Sequence, residues 1–339
     1  MDRYYKKRLI PLTLPAFILF IAVVFIPFVV GVLYSFTGWR GTYFNGGGAW
    51  YESFVGFENY AKVFSNKKFI SALLYTVVFT LASVAVVNII SLLMALLANS
   101  VKEGGGIYRT IYFVPNLLGG LALGYIWQFV FEIIFSKMLF GGSSFLQVPL
   151  FQNMLQDKWK AMLALVIVVT WQWAGYMMLI YTVGLNNISP EYIEAAKIDG
   201  ASTWKTFWKI KVPLLMPSFT IALFLVLSRC FMLLDQNVAL TDGNFGTRTL
   251  ATQILRTTSD TRPPDYGLAQ AQAVVFFVII AVISLIQVKI TSSREDSAGQ
   301  KAENNVNQTS GRGDSSACRA DSDCDPGNFA AAASGIQLL

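Results

Sequence analysis

Six long apolar stretches, separated by segments rich in charged and turn-forming residues, dominate the first 290 residues of the chain. They lie at about residues 9–36, 69–98, 107–135, 161–185, 214–234 and 268–290. Each stretch reaches the roughly 20 residues that a helix needs to cross about 30 Å of hydrocarbon. The pattern therefore predicts an all-α, polytopic membrane protein with six transmembrane helices. Pro27 predicts a kink in the first of them.

The segment 186–213, between the fourth and fifth stretches, is the most charged and most patterned part of this region. Ser189 is a favourable N-cap and Pro190 fits the first helical position. Gly200 can supply the left-handed residue that ends this helix, and Ser202 can cap a second short one. We expect a helix–turn–helix here. Its first helix would offer three carboxylates to a basic partner: Glu191, Glu194 and Asp199.

The composition agrees with a membrane protein. Apolar residues form 54% of the 339 positions and charged residues only 14%, whereas soluble domains average roughly 25% charged residues. The net charge of +6 then reflects membrane topology. No nucleic-acid-binding motif interrupts the apolar stretches, so we expect no nucleic-acid partner. The chain contains no histidine and its three cysteines lack CxxC spacing, so we expect neither a metal site nor histidine-based catalysis.

The distribution of basic residues predicts the orientation. Six spans place both termini on one side of the membrane, and residues 1–8 form a basic N-terminus that favours the cytoplasm. In that orientation the cytoplasmic segments carry twelve Lys and Arg residues, while the much longer outer loops carry ten. The density of basic residues is then higher inside, as the positive-inside rule requires. We expect both termini to be cytoplasmic.

Residues 291–339 differ in kind from the rest of the chain. They are rich in Ser, Asn, Asp, Gly and Ala and show no hydrophobic periodicity. Such a segment cannot bury enough apolar surface to fold alone. We expect a disordered tail, either a natural extension or an artificial addition, that takes no part in the mechanism.

The chain lacks the phosphate-binding loop of ATP-hydrolysing proteins. The glycine run at 104–106 is followed by Ile107, whereas the loop requires Lys and then Ser or Thr. We therefore expect no catalytic activity in this chain. Any energy from ATP would have to arrive through a partner.

One motif in the segment 186–213 has a long and fixed spacing. It consists of Glu194, Ala195, Ala196, Gly200, Ile210, Val212 and Pro213. These residues and their intervals resemble the EAA loop of permease subunits in binding-protein-dependent ABC importers, although that family usually has Leu where this chain has Val212. Shorter similarities at residues 55–60, 240–249 and 266–271 resemble elements of the carbohydrate-importer branch. The resemblance covers about residues 10–290.

The resemblance is to the larger permease partner of maltose-type importers. It implies a type I ABC importer permease fold over residues 9–290, in the cytoplasmic membrane of a bacterium or archaeon. It also implies a second permease subunit, two ATPase subunits that bind ATP and Mg, an extracytoplasmic solute-binding protein and a sugar substrate, besides membrane lipid. This chain itself would hold no cofactor. Coupling to the ATPase would rest on Glu191, Glu194, Ala195, Ala196, Asp199 and Gly200.

Polar side chains inside the apolar stretches indicate a candidate solute path, because hydrocarbon makes them costly. Arg229 lies about two-thirds along the fifth stretch, where an unpaired guanidinium would cost about 2.5–3.5 kcal/mol even on the lenient insertion scale. It should therefore face a water-filled cavity or a carboxylate. In the fourth stretch, rings and hydrogen-bonding groups suited to sugar faces and hydroxyls cluster at Trp171, Gln172, Trp173 and Tyr176.

The resemblance to maltose-type permeases points to the same places. It implies that sugar is held by Gln172, Trp173, Tyr176, Arg229, Cys230 and Leu233. Maltose permeases have amide side chains where this chain has Cys230 and Leu233, so we do not expect maltose as the ligand. Arg229 favours an acidic oligosaccharide of the uronate type.

Several alternatives stay open at this point. Arg229 could pair with a carboxylate of the second permease, and the tryptophans could pack against lipid or neighbouring helices. The solute could be a neutral oligosaccharide or a glycerol-phosphate-type ligand. A secondary transporter would need intramembrane carboxylates or broken helices in a repeat, and the second, fourth and sixth stretches carry no deep acidic residue. A channel would not need the EAA-like motif.

Overall fold

The computed structural model of the protein describes residues 13–45, 51–101, 105–140 and 148–317, with residues 292–317 described by their backbone alone. In chain order the helices are α1 (Thr13–Tyr34), α2 (Glu58–Ser65), α3 (Lys67–Ser100), α4 (Gly105–Phe113), α5 (Gly120–Leu139), α6 (Lys158–Asn186), α7 (Pro190–Ile198), α8 (Thr203–Leu214), α9 (Met216–Phe231), α10 (Asp235–Thr241), α11 (Leu250–Ser259) and α12 (Tyr266–Ala317). The chain forms two compact units. The larger comprises residues 1–187 and 218–289, and the smaller comprises residues 188–217 and 290–339.

Five helices of the described ranges are long and apolar enough to cross a membrane. They are α1, α3, α5, α6 and the part Tyr266–Thr291 of α12. A sixth span results if α8 and α9, which are separated at Leu215, are counted as one. No β-strand occurs in the part of the chain that the structure describes. The prediction of an all-α protein with several membrane spans is confirmed.

Helix α1 contains a π-helical turn, Ile21–Phe25, just before Pro27. Because proline has no N–H, a carbonyl one turn earlier loses its usual donor, and a wider turn accommodates the mismatch. The structure shows this π segment one turn before Pro27, and the kink at Pro27 itself stays a prediction. The apolar part of α1 is not buried by the rest of the described chain, so its surface is available to lipid or to another subunit.

The third apolar stretch departs from its prediction. We expected one helix over residues 107–135, but α4 and α5 are separated by a 3₁₀ turn, Val114–Leu117, and by extended backbone at Leu118 and Gly119. Pro115 cannot donate an N–H to a continuing helix, and the two glycines that follow have poor helix propensity. The stretch is therefore two helices joined by a break, called the 114–119 break below.

Helices α3 and α6 pack along each other at the centre of the larger unit. Across this pair the hydroxyl of Tyr181 donates a 2.6 Å hydrogen bond to Asn88 Oδ1, and both residues are buried. The bond satisfies two polar groups that would otherwise be costly away from water. A second bond joins α3 to α11, where the N–H of Leu250 donates to Thr76 Oγ1 at 2.9 Å. Buried hydrogen bonds thus join α3 to α6 and to α11.

The fifth apolar stretch is also divided. We expected a span to Leu234, but α9 ends at Phe231 and α10 is a separate helix. The hydroxyl of Thr249 donates a 3.0 Å hydrogen bond to the carbonyl oxygen of Leu233. Because this carbonyl has a partner outside the helix, the chain can leave the helical path at that point without an unpaired buried acceptor.

Helix α12 continues beyond the sixth apolar stretch to Ala317. We expected a disordered tail from residue 291, so the structure differs from that prediction over residues 292–317. An established helix adds further residues more easily than a new helix forms, and this segment contains no proline. The rest of the predicted tail, 318–339, and the predicted basic N-terminus, 1–8, lie outside the described residues.

The smaller unit contains the predicted helix–turn–helix, α7 and α8, with Gly200 between them at a φ of +70°. The Ser202 Oγ accepts a 3.3 Å hydrogen bond from the Lys205 N–H, as expected of a helix cap. The expected cap at Ser189 is absent, since its side chain makes no capping bond. The N–H of Tyr192 bonds to the main-chain carbonyl of Ser189 at 3.3 Å and so does not need the hydroxyl.

We expect Gly175 to be essential for the contact between α6 and α4. A Cβ at Gly175 would overlap the backbone of Tyr112, and overpacking of this kind costs about 1–3 kcal/mol. Gly175→Ala should therefore lower the thermal unfolding midpoint of the purified protein by several degrees. A Cβ at Gly106 of α4 would meet no atom within 4 Å, so Gly106→Ala is the matched control and should leave the midpoint unchanged or raise it. An unchanged midpoint for Gly175→Ala would contradict the close approach.

Candidate functional site

The guanidinium of Arg229 is the centre of the candidate site. It is exposed on α9, and its Cζ lies 5.3 Å from the ring centre of Tyr176 and 5.7 Å from that of Trp173, both on α6. Its Nη1 donates a 3.2 Å hydrogen bond to Asn116 Oδ1 in the 114–119 break. Three separate segments therefore meet at one charge. These four residues, Asn116, Trp173, Tyr176 and Arg229, are called the arginine cluster below.

The arginine cluster carries a positive charge that is only partly engaged. Among the described residues, no carboxylate forms an ion pair with Arg229. The ring faces of Trp173 and Tyr176 attract the cation, and Asn116 accepts one of its five N–H groups. The remaining donors are free to bind an anion at the exposed side of the guanidinium. The described ranges contain no group of three metal-ligating side chains.

Gln172, one residue before Trp173 on α6, holds the 114–119 break in place. Its Nε2 donates a 3.2 Å hydrogen bond to the carbonyl oxygen of Leu118. Its Oε1 accepts a 2.8 Å hydrogen bond from Nε2 of Gln236 on α10. Both glutamines are buried. The Gln172 amide is thus used within the protein, where it supports the segment that carries Asn116.

Four of the six predicted path residues are buried, and two of these, Cys230 and Leu233, lie outside the arginine cluster and its support. Cys230 lies beside Ser83 of α3, and the carbonyl of Leu233 accepts the bond from Thr249. The structure therefore brings together Trp173, Tyr176 and Arg229, places Gln172 next to them, and packs Cys230 and Leu233 among protein side chains. That any of the six contacts a solute stays a prediction.

The sequence analysis missed Asn116, Leu118 and Gln236, although the sequence contains a signal for this region. A proline and two glycines interrupt the third apolar stretch at positions 115, 119 and 120, and interrupted hydrophobic segments often indicate binding sites in transporters. The sequence could not show what the break contacts. Its partners lie 54 and 113 residues away along the chain.

A second buried polar network stabilises the loop after α10. The Nδ2 of Asn237 donates to the carbonyl oxygen of Thr247 at 2.8 Å, and its Oδ1 accepts from Thr252 Oγ1 at 2.9 Å. The loop belongs to the 240–249 element singled out from the sequence. Phe245 in this loop adopts a φ of +54°, in the left-handed region that non-glycine residues rarely enter.

The six predicted coupling residues lie on α7 and in the turn that follows it. Five of them are exposed: Glu191, Glu194, Ala195, Asp199 and Gly200. Ala196 is only 6% exposed, so of the two alanines only Ala195 is accessible to a partner. Ile198, which the sequence analysis did not single out, is 87% exposed and adds an apolar contact to this surface.

Comparison with known proteins places the chain in a family. Residues 60–294 match the family described as binding-protein-dependent transport system inner membrane component. The chain belongs to this family. The permease is therefore a multi-pass inner membrane protein and a non-catalytic transport subunit, as the EAA-like motif predicted.

Relatives of the permease align with it over most of their length. It is 36% identical over 283 residues to the probable starch degradation products transport system permease protein AmyD of Thermoanaerobacterium thermosulfurigenes. This alignment covers 83% of this chain and 92% of that protein. It is 30% identical over 272 residues to the multiple sugar-binding transport system permease protein MsmF of Streptococcus mutans. This alignment covers 80% of this chain and 90% of that protein.

A solved structure confirms the predicted permease fold. It is the crystal structure of a bacterial ABC transporter involved in the import of the acidic polysaccharide alginate. The permease matches one of its chains with a TM-score of 0.70 at 20% identity, covering 86% of this chain and 97% of that chain.

We expect Gln172 and Gln236 to contribute to stability as a pair. Gln172→Leu leaves the buried amide of Gln236 and the carbonyl of Leu118 without their partner, and each unpaired group costs about 1–3 kcal/mol. The double variant Gln172→Leu with Gln236→Leu should recover part of this loss, because the unpaired amide of Gln236 is then removed and only the Leu118 carbonyl lacks its donor. Thermal unfolding of the purified permease measures both effects. Losses that simply add in the double variant would show that the two amides do not interact.

Proposed function

We propose that the permease forms half of the transmembrane path of an ATP-driven importer for oligosaccharides, and that the arginine cluster binds acidic, uronate-type sugars. The exposed guanidinium of Arg229 in an apolar helix carries the proposal for the solute class. Such a charge is costly unless it meets water or an anion, and no described carboxylate pairs with it. The names of the relatives, which refer to starch degradation products and multiple sugars, support a sugar as the solute.

The chemistry of the arginine cluster suits a sugar ring that carries a carboxylate. Asn116 uses one N–H of Arg229, and the remaining N–H groups can hold a carboxylate by two parallel hydrogen bonds. Trp173 and Tyr176 restrain the guanidinium by cation–π contact, and the Tyr176 hydroxyl and ring are groups that sugars commonly meet. A glycerol-phosphate-type ligand is the second candidate, because its phosphate would use the same cation.

The mechanism that we propose is alternating access. A second permease, two ATPase subunits and an extracytoplasmic solute-binding protein would complete the transporter, with ATP and Mg held by the ATPases. The exposed carboxylates and Ala195 of α7 would contact an ATPase subunit. Closure of the ATPases on ATP would then move α7 and open the path outward, and hydrolysis would restore the inward-open state. Both termini would lie in the cytoplasm.

Replacing Arg229 by Gln tests the proposed solute class. The substitution keeps a side chain that can bond to Asn116 but removes the positive charge, and a lost hydrogen bond between charged groups is worth about 1.5–3 kcal/mol. Uptake of a uronate oligosaccharide into proteoliposomes, with the cognate binding protein supplied, should fall about tenfold or more. Uptake of the matched neutral oligosaccharide should change little. Arg229→Lys keeps the charge and should retain part of the acidic-sugar uptake.

Two outcomes of this uptake assay would contradict the proposal that Arg229 binds an acidic sugar. An equal loss for acidic and neutral sugars would give Arg229 a structural role, such as pairing with a carboxylate of the second permease. A loss confined to a glycerol phosphate ester would favour the second candidate solute.

A disulfide crosslink at Ala195 tests the proposed coupling surface. In a background without Cys230, Cys318 and Cys324, Ala195→Cys should crosslink to a cysteine on the ATPase in at least one nucleotide state, because Ala195 is exposed on α7. The crosslinked species is detected on a non-reducing gel. Ser65→Cys, at an exposed position predicted to lie on the outer side, is the control and should not react. No crosslink from position 195 under any nucleotide condition would count against the coupling role of α7.

A further inference from the structure

The two helices of the smaller unit carry opposite charges. Helix α7 and its following turn bear three carboxylates and a single lysine, whereas α8 bears Lys205, Lys209 and Lys211 and no acidic residue. The sequence contains no Asp or Glu at all between Asp199 and Asp235. A partner whose charge is complementary to that of α7 therefore has the same sign of charge as α8. The function proposed above uses α7 and leaves α8 unexplained.

Helix α8 also exposes large aromatic rings. Trp204 is 72% exposed and Trp208 is 52% exposed. Their ring centres lie 5.7 Å apart, and that of Phe207 lies 5.3 Å from Trp208. The two indoles form one continuous apolar surface, because residues four apart lie on the same side of a helix. Exposed apolar surface of this kind indicates a contact with a protein or a membrane.

The lysines of α8 are close to these aromatic residues in the sequence. Lys205 and Lys209 follow Trp204 and Trp208 by one residue each, and both lysines are exposed, while Lys211 is half-buried. None of the three forms an ion pair with any residue that the structure describes. Indole rings next to lysines are typical of the membrane–water interface, where the rings lie at the level of the headgroups and the cations attract anionic lipid.

The position of α8 along the chain agrees with such a location. Only four residues separate Lys211 from Met216, the first residue of the apolar helix α9. At about 1.5 Å per helical residue, the eight steps from Trp208 to Met216 span at most about 12 Å. The headgroup layer on each side of the hydrocarbon is about 5–8 Å thick. Trp208 and its neighbours are therefore within reach of the membrane surface.

We propose that α8 binds anionic phospholipid headgroups at the membrane surface through Trp204, Lys205, Trp208, Lys209 and Lys211. The charge of α8 and the absence of carboxylates favour a lipid surface over the ATPase, for which α7 supplies the carboxylates. The segment formed by the two helices is then attached at two points, with α7 bound to a protein and α8 bound to the lipid surface. This inference does not depend on the identity of the transported solute.

Fluorescence quenching by lipid tests the position of the two indoles. The assembled transporter is placed in nanodiscs of phosphatidylcholine with about one-third phosphatidylglycerol, and the signal of Trp204 and Trp208 is obtained by subtracting that of the Trp204→Phe, Trp208→Phe variant. Dibrominated lipid should quench this signal by more than half, and aqueous iodide should quench it only weakly. The reverse result would overturn the proposal. So would strong iodide quenching that disappears only when the ATPase subunits are present, because the patch would then be an ATPase contact.

The headgroup specificity is tested with the lysines. When only the phosphatidylglycerol is brominated, quenching in the natural chain should be several-fold stronger than with the same fraction of brominated phosphatidylcholine. Lys205→Gln, Lys209→Gln and Lys211→Gln together should abolish this difference. Lys67→Gln with Lys68→Gln, at exposed lysines that begin α3, is the matched control and should preserve it. Equal quenching by the two brominated lipids in the natural chain would refute the role of the lysines.

Discussion

Within a bilayer every backbone polar group needs a partner inside the protein, and the 114–119 break shows how this permease meets that requirement. The break leaves the carbonyl of Leu118 outside any helix, and the Gln172 amide supplies its donor while Gln236 supplies a donor to Gln172. Asn116, on the same break, accepts from Arg229. The bonds that make an irregular backbone tolerable therefore also position the one cation of α9 beside the rings of α6.

The segment between the fourth and fifth apolar stretches exposes two chemically different surfaces. Helix α7 exposes carboxylates and one small residue, Ala195, while α8 exposes indole rings and lysines. Under the function proposed above the loop would transmit motion, and a second attachment would keep it from rotating about the first. The opposite chemistries of α7 and α8 allow two different attachments, one to a protein and one to the membrane surface.

Hydropathy predicted the helices well where an apolar stretch is also uninterrupted. The second and fourth stretches appear as α3 and α6, each extending slightly beyond its predicted limits. The prediction was wrong where a local backbone effect outweighed hydrophobicity. Pro115 and the adjacent glycines divide the third stretch, and the bond from Thr249 to Leu233 accompanies the early end of α9. A hydropathy average does not register these effects.

Composition, or spacing within one segment, was enough to predict the membrane character, the helical class and, through the EAA-like motif, the family. The sequence also identified Arg229 as an unusual charge in an apolar stretch. The contacts of Arg229 with Asn116, Trp173 and Tyr176, and the burial of Cys230 and Leu233, became visible in the three-dimensional structure alone. Those outcomes depend on how three helices rotate against one another, and that rotation is set by contacts between residues far apart in the chain.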